Sequence, residues 1–127
     1  MNRDIALAVV RSLAVTGSSR ERLGRLKTFT AQEWRRTFAW LDDSGLALEL
    51  LAAVDRAGAD DLLPAWVAEK LRARLAGNRQ RLAHMKQEFD SLNRAFEQAG
   101  VDFAVLKGFS LVPAYTPDPS LRSQYDY

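Results

Sequence analysis

A lysine, a glycine and a serine lie within four positions of one another in the last quarter of the sequence: Lys107, Gly108 and Ser110. An ammonium group, a backbone without a Cβ atom and a hydroxyl are together suited to binding a phosphate group. The apolar residues of 101–106 alternate at period two, which predicts a strand, and 110–115 predicts a short helix. Many strand-to-helix turns contain glycine and bind nothing, so a purely structural turn remains an alternative.

Other residues whose types could do chemistry give weaker indications. His84 and Glu88 are four positions apart on a predicted helix and could supply two metal ligands, but no third ligand is evident. We therefore expect His84 to lie on the surface. The sequence contains no cysteine, which excludes disulfides, thiolate metal sites and a cysteine nucleophile.

The charges are unevenly distributed along the 127 residues, although the net charge is only +2. Residues 1–40 carry a net +5, residues 41–63 a net −5, and residues 64–99 a net +3. A basic surface could bind nucleic acid. The simpler interpretation is a solvated helical surface that faces the acidic segment.

Helical periodicity predicts how most of the chain is organised. Four helices are predicted before residue 64: about 3–15, 19–26 with Ser19 as cap, one from a capping box at Thr30 and Glu33 to about 43, and 46–57. Gly58 is expected to end the fourth. The longest apolar run has six residues, against roughly 20 for a membrane span, and we expect a cytoplasmic protein.

The longest predicted helix runs from Pro64 to Ala99, with Gly100 as its C-terminal cap and a kink or break expected at Gly77-Asn78. Its apolar residues form one stripe, in which Asn78 takes the place between the second and third members: Leu71, Leu75, Leu82, Met85, Phe89, Leu92, Phe96 and Ala99. Such a stripe is typical of a core-facing helix. It could also dock a partner helix or form a homodimer.

A single strand after several helices has unpaired backbone groups on both edges and is not stable alone. We therefore expect the chain to be the front part of something larger or an obligate partner. The predicted fold class is mainly α, with a helical domain at 1–99 and the first strand, turn and helix of an incomplete α/β domain at 100–127.

The last 25 residues resemble the start of the catalytic domain in an uncharacterised nucleotidyltransferase family of the polymerase-beta-like superfamily. The residues that carry the resemblance occur in a fixed order: Leu106-Lys107-Gly108, Leu111, Tyr115, Asp118-Pro119, Arg122 and Asp126. Family members also carry a helical region ahead of the catalytic sheet.

The resemblance implies a role for each matching residue. Lys107, Gly108 and Ser110 would bind the triphosphate of an NTP, and Arg122 would neutralise phosphate or brace the loop. Asp126 would be the catalytic carboxylate that binds Mg²⁺. Two magnesium ions would hold the triphosphate while an acceptor hydroxyl attacks the α-phosphorus and pyrophosphate leaves.

Two departures from the family pattern affect these expectations. Phe109 stands where a second small residue usually follows the glycine, and the second metal-binding carboxylate would come after Tyr127. We therefore expect the 127 residues alone to be inactive and their parent to transfer a nucleoside monophosphate to a hydroxyl acceptor. The alternative is a non-enzymatic helical interaction module, and a nucleic-acid-binding protein is a weaker third hypothesis.

Overall fold

The computed structural model describes residues 3–13, 20–106 and 108–122. Its α-helices are α1 (Arg3–Ser12), α2 (Arg20–Leu23), α3 (Ala31–Ser44), α4 (Ala47–Arg56) and α5 (Ala65–Gln98). Short 3-10 helices lie between and after the α-helices, at Gly24–Thr28, Asp60–Leu62, Gly108–Leu111 and Pro119–Leu121. The prediction of a mainly α chain is confirmed. Within these described ranges, none of the helices is long and apolar enough to cross a membrane.

The helix ends follow from local sequence. At the start of α3, the Thr30 hydroxyl accepts from the Glu33 backbone, while the Glu33 carboxylate accepts from Thr30, which confirms the predicted capping box. Gly45, Gly58 and Gly100 each have positive φ and end α3, α4 and α5. At each, the next residue's N–H donates to the carbonyl five positions back, as in a Schellman motif. Ser19, the predicted cap of the second helix, lies outside the described residues.

The contacts divide the chain into two compact units, an N-terminal unit (Met1–Arg74) and a C-terminal unit (Leu75–Tyr127). The division falls inside α5, which is continuous through Gly77 and Asn78, so the helix does not break there. The functional boundary expected at residue 100 is a different division of the chain and stays a prediction.

The N-terminal unit has an apolar core. Trp34, Leu41, Leu50, Val54 and Leu71 are fully or almost fully buried there. Burial of such side chains stabilises the unit by about 1.5 to 3 kcal/mol each. On its surface, basic residues pair with the acidic segment 41–63, as the simpler interpretation of the charge pattern expected.

The ion pairs of that surface join residues that are far apart in the sequence: Arg20 with Asp61, Arg72 with Asp55 and Asp60, and Arg74 with Asp42. The Asp55 and Asp60 carboxylates beside Arg72 raise the pKa of its guanidinium. These pairs attach α2 and the start of α5 to the acidic segment.

The strand predicted at 101–106 does not form. These residues have no regular secondary structure. A strand requires a hydrogen-bonded neighbour, and the described residues contain no other strand to supply one. The helix predicted at 110–115 is also replaced, by the 3-10 helix Gly108–Leu111 and a turn. Pro113 has no N–H group and does not fit a helix interior, which explains the early end.

Candidate active site

The glycine of the predicted phosphate turn has a conformation that a residue with a side chain rarely adopts. Gly108 is buried, has a φ of +46° and begins the 3-10 helix. A positive φ is typical of a glycine in a turn, but the predicted strand before it and the predicted helix after it do not form. Ser110 is exposed within the same 3-10 helix. Lys107, the third predicted phosphate ligand, lies outside the described residues.

Phe109, which departs from the family pattern, has a packing role. Its ring lies 4.9 Å from the ring of Phe89 on α5, centroid to centroid. A second aromatic pair, Phe96 with Phe103 at 5.3 Å, holds the segment before the turn against the same helix. Aromatic pairs at these distances attract by about 0.5 to 1.5 kcal/mol beyond burial. The apolar stripe of α5 therefore packs in part against its own chain.

Asn78 connects α5 to the segment that carries Arg122. Its side-chain amide donates to the backbone carbonyl of Ser120 at 2.6 Å and to that of Arg122 at 3.1 Å. The Arg81 guanidinium in turn donates to the Asn78 amide oxygen. Asn78 and Ser120 are both buried. A buried amide with partners on both its atoms fixes the backbone of 120–122 in one position.

Asp118 organises the same segment from the other side. Its carboxylate accepts hydrogen bonds from the Ser120 backbone at 2.9 Å and from the Ser120 hydroxyl at 2.6 Å. Pro119 follows as the first residue of the 3-10 helix. The Asp-Pro-Ser sequence therefore forms a capped turn that ends at Arg122.

Arg122 has an exposed side chain on a backbone that is held in place. Arg122 is exposed, and within the described ranges its guanidinium has no hydrogen bond or ion pair. Its backbone, in contrast, is held by Asn78 and by a hydrogen bond from its own N–H to Pro119. An arginine with a fixed backbone and a free guanidinium is suited to binding phosphate.

Among the predicted site residues, Gly108, Ser110 and Arg122 lie in the C-terminal unit, and Asp126 falls outside the described residues. The described part of the chain contains no group of three side chains that could hold a metal ion. His84 is exposed, as expected of a surface residue, and its Nε2 atom lies 3.5 Å from the Oε1 atom of Glu88. Of the predicted site, the described residues therefore contain Gly108, Ser110 and Arg122, but no complete set of metal ligands.

Sequence reasoning missed the positioning role of Asn78, and it placed Asp118 in the motif without its hydrogen bonds to Ser120. The signal for Asn78 was present, because it is the one polar residue in the apolar stripe of α5. From the sequence alone, Asn78 next to Gly77 predicts a kink or break in the helix. A polar residue at a core position more often marks a specific buried hydrogen bond.

The comparisons with known proteins agree with the motif. The family model described as "Uncharacterised nucleotidyltransferase" matches residues 30–127, which run from the cap of α3 through the Arg122 segment. A search of curated proteins and a search of solved structures each gave no match. Because the family model covers well over half of the sequence, the chain belongs to this uncharacterised nucleotidyltransferase family.

Proposed function

We propose that this protein takes part in the transfer of a nucleoside monophosphate from an NTP to a hydroxyl acceptor. The observation that carries the proposal is the family match, because it covers the helical region from residue 30 onward and the segment with the candidate site. In this reaction the acceptor hydroxyl releases its proton to the solvent, and its oxygen forms a bond to the α-phosphorus. The bond from that phosphorus to the β-phosphate oxygen breaks, and pyrophosphate leaves with its electrons.

The proposed roles of the residues follow the motif. Lys107, Gly108 and Ser110 bind the triphosphate, and Arg122 contributes a cation to the same anion. The positive φ of Gly108 supports its place in this turn, because a residue with a Cβ atom would be strained in that backbone conformation. Asn78 acts indirectly, as a positioning residue that holds the backbone at Arg122.

We propose Mg²⁺ as the cofactor and Asp126 as its carboxylate ligand, on the basis of the resemblance. A bound magnesium ion would neutralise the triphosphate charge, and carboxylate oxygen is a ligand that this hard cation prefers. No further metal ligand is assigned, because the described residues contain no ligating cluster.

The domain division belongs to the same proposal. Residues 1–99 form the helical region and residues 100–127 begin the catalytic domain. The helical interaction module is not proposed as a second function, because the rings of Phe89 and Phe96 on the stripe already pack against Phe109 and Phe103.

The test is nucleotide binding to the 127-residue chain, measured by calorimetry with ATP, CTP, GTP and UTP, with and without Mg²⁺. We expect binding that requires Mg²⁺. Lys107→Ala and Arg122→Gln should each weaken it about tenfold, because each removes a charge-assisted contact to phosphate. Asp126→Asn should reduce the gain in nucleotide affinity that Mg²⁺ produces, because it removes the proposed carboxylate ligand.

The matched controls are Asp102→Asn and Arg94→Gln, which remove the same charges in the C-terminal unit outside the motif. Both should leave nucleotide affinity unchanged. The proposal is wrong if no nucleotide binds, or if the motif variants and the controls have equal affinity.

A further inference from the structure

The N-terminal unit contains a pocket that the nucleotidyltransferase proposal does not use. It has a volume of about 540 Å³ and lies between α1 and the segment formed by α2 and the following 3-10 helix. Its lining comes from both sides: Asp4, Leu7, Ala8, Arg11, Glu21, Arg22 and Arg25. All of these residues precede residue 30, where the family match begins.

Three arginines make the pocket suitable for an anion. Within the described ranges, the guanidinium groups of Arg11, Arg22 and Arg25 have no hydrogen bond or ion pair. Arg20, on the same helix as Arg22, is instead held by both carboxylate oxygens of Asp61, at 2.7 and 2.9 Å. In α2, Arg20 is therefore held by an ion pair, whereas Arg22 lines the pocket. Guanidinium groups match the geometry of phosphate oxygens.

The other lining residues restrict the ligand. Asp4 and Glu21 add negative charge, which repels a continuous phosphate backbone, and the Glu21 carboxylate accepts hydrogen bonds from hydroxyl or amino groups. Leu7 is 41% exposed and gives the pocket an apolar wall. The volume lies within the range of roughly 300 to 1,000 Å³ that is usual for small-molecule sites.

We propose that this pocket binds a small phosphate monoester that also carries hydroxyl or amino groups. The phosphate lies among Arg11, Arg22 and Arg25, and the donors of the ligand face Glu21. All residues that line this pocket belong to the N-terminal unit, whereas the proposed nucleotide-binding residues belong to the C-terminal unit.

The experiment uses NMR of the isotope-labelled 127-residue chain with ribose 5-phosphate as the probe and ribose as its unphosphorylated counterpart. We expect ribose 5-phosphate to shift the side-chain N–H signals of Arg11, Arg22 and Arg25, and ribose to leave them unchanged. Arg22→Gln and Arg25→Gln should each weaken binding about tenfold, as expected for loss of a charge-assisted hydrogen bond.

The matched control is Arg35→Gln, which removes an exposed arginine of α3 outside the pocket and should not change the affinity. Equal weakening by this control would overturn the proposal, as would shifts confined to the Gly108 turn. An oligothymidylate serves as a competitor. If it binds the three arginines with steep salt dependence and displaces the sugar phosphate, the surface is a nucleic-acid interface and the proposal is wrong.

Discussion

The two units of the chain are stabilised in different ways. Among the described residues, every buried apolar side chain except Met85 lies in the N-terminal unit. Both units bury polar side chains, Ser12 and Thr37 in the first and Asn78 and Ser120 in the second, but the C-terminal unit exposes more of the large apolar side chains among the described residues. The exposed ones are Leu92, Val101, Phe103, Leu106, Val112 and Tyr115.

This difference separates a region that folds around a core from a region that is held by a few specific contacts. Apolar burial is spread over many side chains, so the N-terminal unit should unfold cooperatively. The C-terminal unit depends on the Asn78 hydrogen bonds and two aromatic pairs, and its segments should open locally. Segments of low local stability are common where ligands bind.

The largest expected effect tests the core of the N-terminal unit. Trp34 is fully buried, and its ring lies 5.3 Å from that of Phe29 and 6.3 Å from that of Phe38. Trp34→Ala should lower the free energy of unfolding by about 3 to 5 kcal/mol, since it leaves a large cavity. Urea denaturation followed by circular dichroism measures this loss.

Two variants serve as controls for Trp34→Ala. Trp34→Phe should be milder, because the buried indole N–H has no hydrogen-bond partner within the described residues. Trp66→Ala should also cost less, since Trp66 is 38% exposed. If Trp66→Ala destabilised the protein as much as Trp34→Ala, the core would not be centred on Trp34.

The second prediction concerns the C-terminal unit. Asn78→Ala removes two hydrogen bonds to the carbonyls of Ser120 and Arg122, each bond being worth about 0.5 to 1.5 kcal/mol. We expect the amides of Ser120, Leu121 and Arg122 to exchange with solvent about tenfold faster or more. Hydrogen exchange resolved by NMR is the measurement.

Asn93→Ala is the matched control for Asn78, because it changes the same residue type on the same helix. It should leave exchange at 120–122 unchanged. Urea unfolding of the N-terminal unit should remain close to wild type in both variants. Global unfolding in Asn78→Ala would instead mean that the two units share one cooperative transition.

The comparison also explains which features were predictable from sequence. Thr30 and Glu33 are three residues apart, and Gly45, Gly58 and Gly100 end helices through contacts within six residues. Such local signals are complete in the sequence, so the helices and most of their ends were predicted well.

Contacts between distant residues were not predictable in the same way. Asn78 binds a carbonyl 42 residues away, and no local pattern indicates that partner. The strand at 101–106 was predicted from a correct alternation of apolar residues, but a strand depends on a neighbour. For the candidate site, the roles of all the motif residues stay predictions: Lys107, Gly108, Ser110, Arg122 and Asp126.

The third prediction tests a local signal in the N-terminal unit. Thr30→Ala removes the hydroxyl that accepts from the Glu33 backbone at 3.2 Å. The expected loss in the free energy of unfolding is about 1 kcal/mol, which is typical of a lost N-cap. Thr30→Ser should restore most of it, because serine presents the same acceptor. Equal destabilisation by alanine and serine would show that the methyl group, and not the cap, is responsible.

The smallest expected effect is the pH dependence of the N-terminal unit. Hydrogen bonds from the Thr30 backbone and hydroxyl lower the pKa of Glu33 from 4.5, and a hydrogen bond from Arg20 lowers the pKa of Asp61 from 3.8. A carboxyl group whose pKa is lower in the folded state stabilises the protein above its ordinary pKa. This stability is lost as the pH falls through 4.5 and 3.8 towards the lowered values.

Thermal melting between neutral pH and pH 3 or so would follow this loss, which should be shallow because both carboxylates are exposed. Arg20→Gln should flatten the lower part of the profile, where Asp61 is protonated. Arg35→Gln, which removes an arginine without a carboxylate partner in the described ranges, should leave the profile unchanged. If neither substitution alters the slope, the Arg20–Asp61 pair adds nothing to the acid sensitivity. Glu33 would then account for the acid sensitivity of the N-terminal unit.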